Sequence, residues 1–287
     1  MSSPDKSDMT TDDPHPRRAA RAARRARFRT RTALLLLTAL LGLTLDLPAT
    51  APVRATAVSR TVVQEKNVVR TVVGLGDSVP AGSACDCDPY VSLVGDALAT
   101  RQGTDVATEN LAAAGLTTRG LLDQLDDDTT RRTLLAADLT IITIGANDFD
   151  SDTVTDDACG PGNDLACYHD DLVRLRANMD AILARVRALR PRRGTRVLVT
   201  GYWNVFMDGA MARAEGTAYV TNSDSLTRAV NATLAASANA AGARYVDLYT
   251  PFKNGGDDTA LLAEDGDHPA ATGHRLIAHE VLSAIFR

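Results

Sequence analysis

The stretch Val68-Val69-Arg70-Thr71-Val72-Val73-Gly74-Leu75-Gly76-Asp77-Ser78-Val79-Pro80-Ala81-Gly82 decides the fold. Its first six residues are mostly β-branched and are bounded by Gly74 and Gly76, which predicts a buried strand ending near Val73. An Asp and a Ser then stand between glycines. In open α/β sheets the carboxyl end of a strand is where ligands bind. Glycines there let the backbone turn sharply and approach a bound group. Ser78 is therefore a candidate nucleophile. Gly-Asp-Ser alone also fits an ordinary strand-to-loop turn, so the reading rests on the rest of the chain.

Downstream, strand-like and helix-like patterns alternate. Helical spacing covers Tyr90 to Ala99, and an edge-like strand covers Asp105 to Leu111. A short helix lies around Thr118 to Leu125, and the acidic cluster Asp123 to Asp128 reads as its solvated end. The clearest strand, Leu139 to Ile144, runs straight into Gly145-Ala146-Asn147-Asp148. Residues 149–167 form a long acidic loop. Asp148, Asp150 and Asp152 alternate like calcium ligands, but Thr153 and Cys159 stand where a calcium loop needs Gly and Glu. A long amphipathic helix from Tyr168 to Leu189 ends at Pro191. The strand Arg196 to Thr200, a helix from Leu226 to Ala241, the strand Arg244 to Leu248 and a helix from Ala271 to Phe286 complete the chain. Such alternation predicts one parallel five-stranded sheet with helices on both faces.

The amino terminus stands apart. Arginine-rich residues up to Thr32 precede Ala33 to Leu45, an uncharged apolar run of thirteen residues. This order is that of a secretory signal, and the run falls short of the roughly 20 residues that span a bilayer. Ala55-Thr56-Ala57 or Ala49-Thr50-Ala51 would be the cleavage site; an uncleaved membrane anchor is the alternative. The expected organisation is an export leader at 1–57, an approach segment at 58–67 and a domain at 68–287. Arg24-Arg25 is followed by residues that fit a twin-arginine signal poorly, so the export route stays open. Without the leader the formal charge moves from −5 to −10. So acidic a body has no basic stripe for phosphates, which argues against nucleic-acid binding. Membrane contact is expected only during export.

Cys85, Cys87, Cys159 and Cys167 all lie in the exported part, where disulfides are the first reading. Cys159 with Cys167 closes a short Gly/Pro loop; Cys85 with Cys87 would be a tight bridge, and cross-pairing stays open. The spacings match no usual zinc pattern, and no metal is expected.

Four polar stations fall at predicted strand or loop ends: Ser78, Gly115, Asn147, and Asp265 with His268. Hydrolysis by a serine needs a base, a group that orients the base, and donors for the developing oxyanion. Ser78 offers the hydroxyl and His268 the base, with Asp265 better placed than Asp267 to hold the imidazole. The N–H groups of Ser78 and Gly115 and the amide of Asn147 would form the oxyanion hole. Val79, Tyr202 and Trp203 are candidate pocket residues, with packing in the core as the alternative for the two aromatics. His274 and His279 diverge on one helix and are read as structural or exposed.

Gly76-Asp77-Ser78 with Gly82, Asn110-Leu111-Ala112 with Gly115, Gly145-x-Asn147-Asp148 and Asp265-x-x-His268-Pro269 resemble, in order, the four sequence blocks of the GDSL (SGNH) hydrolase family. The resemblance covers residues 70–285. It implies a flavodoxin-like three-layer α/β/α sandwich and ester hydrolysis through a Ser-Asp-His triad without metal or organic cofactor. Some members replace the triad Asp with a backbone carbonyl, which leaves Asp265 as the open member. The expected protein is a secreted, monomeric esterase or lipase acting on a lipid, a small acyl ester or an acetylated sugar. A thioesterase or phospholipase falls in the same class; a binding module without turnover on the same fold is the alternative outside it.

Overall fold

In the computed structural model, which describes residues 68–189 and 196–287, the opening apolar run forms β1 (Thr71–Gly76) at the heart of the sheet. The leader at 1–57, its candidate cleavage sites, the approach segment 58–67 and Pro191 lie outside the described residues. β1 runs three residues beyond the predicted end. Gly74 pairs with Asn110 and Ile141 within the ladder, and a Cβ there would stand 2.8 Å from the Val91 side chain, so this glycine serves close packing and not a turn. The turn begins at Gly76, whose φ is +134° and whose Cβ would overlap the Thr143 carbonyl oxygen.

After β1 come α1 (Ser78–Ala81), α2 (Tyr90–Gln102), β2 (Ala107–Asn110), α3 (Thr118–Gln124), α4 (Asp128–Ala136) and β3 (Leu139–Thr143). The second half holds α5 (His169–Ala188), β4 (Arg196–Thr200), α6 (Gly209–Glu215), α7 (Thr217–Ala240), β5 (Arg244–Val246), α8 (Tyr249–Lys253) and α9 (Ala271–Phe286). All strand pairs are parallel, in the order β2-β1-β3-β4-β5. Helices α2 and α9 pack together in one outer layer, and α3, α5 and α7 pack in the other. β3 is buried along its whole length, as a strand covered on both faces must be. Each fully buried Leu or Ile there contributes about 1.5–3 kcal/mol over its exposed state. This is a flavodoxin-like α/β/α sandwich. Its strand order reverses between β1 and β3, and ligands of such sheets bind at that reversal.

The helical segments α1, α4, α6, α8 and the first turns of α7 escape the sequence pattern. The acidic stretch 123–128 takes in the end of α3 at Asp123, exposed as expected, and also starts α4, with the Asp127 carboxylate accepting from the Thr130 N–H at 2.8 Å. α6 carries Met211 and three alanines but no Leu, Ile or Val, and the first turns of α7 offer only Ala218, Tyr219 and Val220 as apolar residues. The inner face of α7 there is Tyr219, Asn222 and Ser223, and hydrogen bonds satisfy the polar pair: Asn222 donates to the Val154 carbonyl and Ser223 accepts from Asn204. The 149–167 loop is a chain of single 3-10 turns, and its aspartates cap them. Asp150 accepts from the Asp152 N–H at 3.0 Å and Asp156 from the Ala158 N–H at 2.9 Å. Among the described residues no helix is long and apolar enough to cross a membrane.

Candidate active site

Ser78 is the first residue of α1, at the carboxyl end of β1. Asp77 caps that helix, its Oδ1 accepting from the Val79 N–H at 3.0 Å. The Asp77 N–H donates in turn to the Thr143 carbonyl at 3.0 Å. Gly76 pairs with Thr143 in the ladder, so β1 and β3 end level and their following loops lie side by side. From β2, Asn110 donates its amide N–H to the Pro80 carbonyl at 2.7 Å. The serine turn is thus pinned from both neighbouring strands.

The loop after β2 runs past this turn. The Ala113 N–H donates to the Gly76 carbonyl at 2.9 Å, and Gly115 is exposed with no atom within 4 Å of where a Cβ would stand. Asn147 lies on the single turn Ala146–Asp148 after β3. One N–H of its side-chain amide donates to the Leu116 carbonyl at 3.1 Å. An amide has a second N–H, which is left for a bound group. Asp148 holds the turn from below: it accepts from the Thr118 N–H at 2.9 Å and from the Thr118 hydroxyl at 2.5 Å. Burial raises the Asp148 pKa, and those hydrogen bonds pull against the rise. In the sequence Asp148 closes the Gly145-x-Asn147-Asp148 block and opens a calcium-like alternation; in the fold it supports the turn that carries Asn147.

His268 and Asp265 stand on the loop before α9. His268 Nδ1 lies 2.7 Å from Asp265 Oδ2 and 3.8 Å from Asp267 Oδ2. Asp265 Oδ1 also accepts from the N–H groups of Asp267 and His268, both at 3.0 Å. The closed loop needs Gly266, at φ +71°, where a Cβ would press on Met211. Partial burial pushes the Asp265 pKa up, but the hydrogen bonds from the His268 backbone, its ring and the Asp267 backbone outweigh it and hold the carboxyl below its ordinary range. A carboxylate so held keeps Nδ1 protonated and leaves Nε2 as the basic nitrogen.

The pocket candidates are corrected by the structure. Val79, Tyr202 and Trp203 are 5%, 1% and 1% exposed, so none can line an open cleft. Trp203 stacks on Phe252 with ring centroids 4.3 Å apart, and the Tyr202 hydroxyl reaches the buried Asp77 carboxyl. Asp77 is fully buried, which raises its pKa to about 7 against the pull of the hydrogen bonds from Tyr202 and Val79. A cavity of about 650 Å³ is bordered by Cys85, Cys87, Glu264 and Asp265, but neither Ser78, Asn147 nor His268 lines it. His279 is exposed, whereas His274 is fully buried, and burial lowers its pKa to about 4. Cys85 lies beside Cys87 and Cys159 beside Cys167, with Cα separations of 5.2 and 5.0 Å. Cys85, Cys87 and His274 place potential ligand atoms within 4.8 Å of one another, and His274 Nδ1 accepts from the Tyr90 N–H at 3.2 Å.

Residues 75–276 match the model of the GDSL-like Lipase/Acylhydrolase family. No curated protein matches the chain. Among solved structures, the lipase Lip_vut3 from a goat rumen metagenome is 19% identical with a TM-score of 0.62, over 75% of this chain and 97% of its own. A lipase/acylhydrolase from Enterococcus faecalis is 19% identical with a TM-score of 0.54, over 75% and 95%. Axe2, an acetylxylan esterase from Geobacillus stearothermophilus, is 17% identical in a catalytic mutant, with a TM-score of 0.55 over 75% and 94%. At these identities the likeness is one of fold.

Proposed function

Because the chain belongs to the GDSL-like lipase/acylhydrolase family, we propose that it hydrolyses carboxylic esters through an acyl-enzyme on Ser78, with His268 as base and Asp265 as its orienting carboxylate. The observation that carries this reading is the 2.7 Å contact between His268 Nδ1 and Asp265 Oδ2, at the end of the chain block that follows the serine and asparagine stations. In the first step Ser78 Oγ attacks the ester carbonyl carbon while His268 Nε2 takes the hydroxyl proton. The carbonyl π electrons move to oxygen, where the N–H groups of Ser78 and Gly115 and the Asn147 amide meet the new charge. Collapse expels the alcohol, which leaves with the proton from Nε2. Water then repeats the sequence on the acyl-enzyme and releases the acid.

Export of the chain and oxidation of Cys85–Cys87 and Cys159–Cys167 belong to the same proposal. Both cysteine pairs have Cα separations within the range that a disulfide spans. Peptide mapping without reductant should find two bridges and no free thiol; four free thiols in extracytoplasmic protein would contradict it. Small acyl esters and acetylated sugars are the substrates favoured here, since the aromatic residues considered for an acyl pocket are packed inside the fold. The test is a panel of chromogenic esters graded by acyl length, with an acetylated saccharide included. Turnover highest on acetyl and short acyl groups supports the reading. Turnover of no carboxylic ester would leave a binding module on the same fold.

A further inference from the structure

Tyr202 is an interior residue with a hydroxyl placed between two halves of the site. It follows β4 directly and is 1% exposed. Its backbone is clamped by Asn231 of α7: the Tyr202 N–H donates to Asn231 Oδ1 at 2.9 Å, and Asn231 Nδ2 donates to the Tyr202 carbonyl at 2.8 Å. So fixed, the phenol donates its O–H to Asp77 Oδ2 and accepts from the Ala146 N–H at 3.4 Å. Asp77 immediately precedes Ser78, and Ala146 immediately precedes Asn147. One hydroxyl therefore ties the nucleophile's turn, at the end of β1, to the oxyanion donor's turn, at the end of β3.

We propose that Tyr202 is a positioning residue that sets the spacing between Ser78 and Asn147 through Asp77 and Ala146. The proposal rests on the ester-hydrolase reading above. Both groups act on one carbonyl, Ser78 on its carbon and Asn147 on its oxygen, so their separation must hold to within about 0.5 Å. A misplacement of about 1 Å costs on the order of 10²-fold in rate. The β1–β3 ladder pairs the strands as far as Gly76 and Thr143, the Asp77 N–H adds one bond to the Thr143 carbonyl, and Ser78 and Asn147 lie beyond that contact. Asp77 completes the link, since its other carboxylate oxygen accepts from the Val79 N–H within α1. Nothing in the family blocks of the sequence points to Tyr202. It entered as a pocket candidate because it follows a strand at the functional edge, and burial changes its role.

The test is Tyr202→Phe, which keeps the ring and removes the tie. On a chromogenic acetyl ester, kcat should fall by about 10- to 10²-fold with KM changed less than about twofold, because the oxyanion is met in the transition state and not in the bound ester. The rate at which an organophosphonate labels Ser78 should fall in parallel. Trp203→Phe supplies the comparison: it opens a hole at the next residue, away from these hydrogen bonds, and should lower Tm with kcat within about twofold of wild type. A folded Tyr202→Phe enzyme with wild-type kcat and labelling rate would overturn the positioning role and leave the hydrolase reading standing. Equal loss of kcat in Trp203→Phe would overturn it too, because general loosening would then suffice. A wild-type protein that neither hydrolyses esters nor is labelled at Ser78 would remove the reading beneath both.

Discussion

Replacing Asp265 with Asn tests which carboxylate serves His268. Asp265 accepts three hydrogen bonds, from the backbone of Asp267 and His268 and from His268 Nδ1. The amide oxygen of an Asn can keep both backbone bonds, so the loop should stay folded. The amide nitrogen then faces Nδ1, which can only accept, and the ring proton moves to Nε2. That is the nitrogen required to receive the Ser78 proton. A wrong tautomer costs on the order of 10⁴-fold in such triads. At 1.36 kcal/mol per tenfold, a loss of 10³- to 10⁴-fold is about 4–5.5 kcal/mol of transition-state stabilisation. Asp267→Asn removes a carboxylate 3.8 Å from Nδ1 that is 45% exposed. Solvent screens such a pair to about 0.2–1 kcal/mol, at most about fivefold in rate. Initial rates on one acetyl ester, with circular dichroism to check folding, measure both. A loss under tenfold in Asp265→Asn would make the histidine's orientation independent of this carboxylate, and a larger loss in Asp267→Asn would reverse the assignment.

Asn147→Ala should lower kcat by about 10²–10³-fold with KM little changed, as for other single oxyanion donors; a rise in KM at unchanged kcat would place the amide in ground-state binding. Asp77→Asn addresses the buried carboxyl. Its folded pKa is raised from 3.8 to about 7, so the folded state holds this proton more tightly than the unfolded chain does. Stability from the protonated form is therefore present below about pH 4, is lost as pH rises through about 7, and amounts to about 4 kcal/mol at 1.36 kcal/mol per tenfold in proton affinity. The Tm of Asp77→Asn, measured relative to wild type, should accordingly rise between pH 4 and 7 and level off above; a difference independent of pH would show that Asp77 does not titrate there.

How far the fold could be read depended on whether burial left a period in the residues. β4 and α9 have the predicted limits, Arg196–Thr200 and Ala271–Phe286, because each carries a clean apolar pattern. The end of β1 is not legible in the sequence because Gly74 has the signature of a turn and is used for contact with Val91. The start of α7 was missed because its buried face includes Asn222 and Ser223, polar residues whose hydrogen bonds exist only once the chain is folded. The same distinction runs through the site. Ser78 and Asn147 stand out as polar residues beside glycines at strand ends, Gly115 as a glycine in the loop after β2, and Asp265 and His268 as a polar pair around Gly266 before α9. The Tyr202–Asp77 pair is 125 residues apart in sequence, and only the folded arrangement of β1 and β4 around β3 brings it together.

The most direct measurement of the proposed chemistry is mass mapping after reaction with a p-nitrophenyl alkylphosphonate, which traps an activated serine by displacement of nitrophenolate. Wild-type protein should carry one alkylphosphonyl group, on Ser78, with ester hydrolysis lost in proportion to labelling; Ser78→Ala should be folded, unlabelled and inactive. A modified serine elsewhere with Ser78 untouched, or a Ser78→Ala variant that still hydrolyses esters at the wild-type rate, would contradict the assignment of Ser78 as nucleophile.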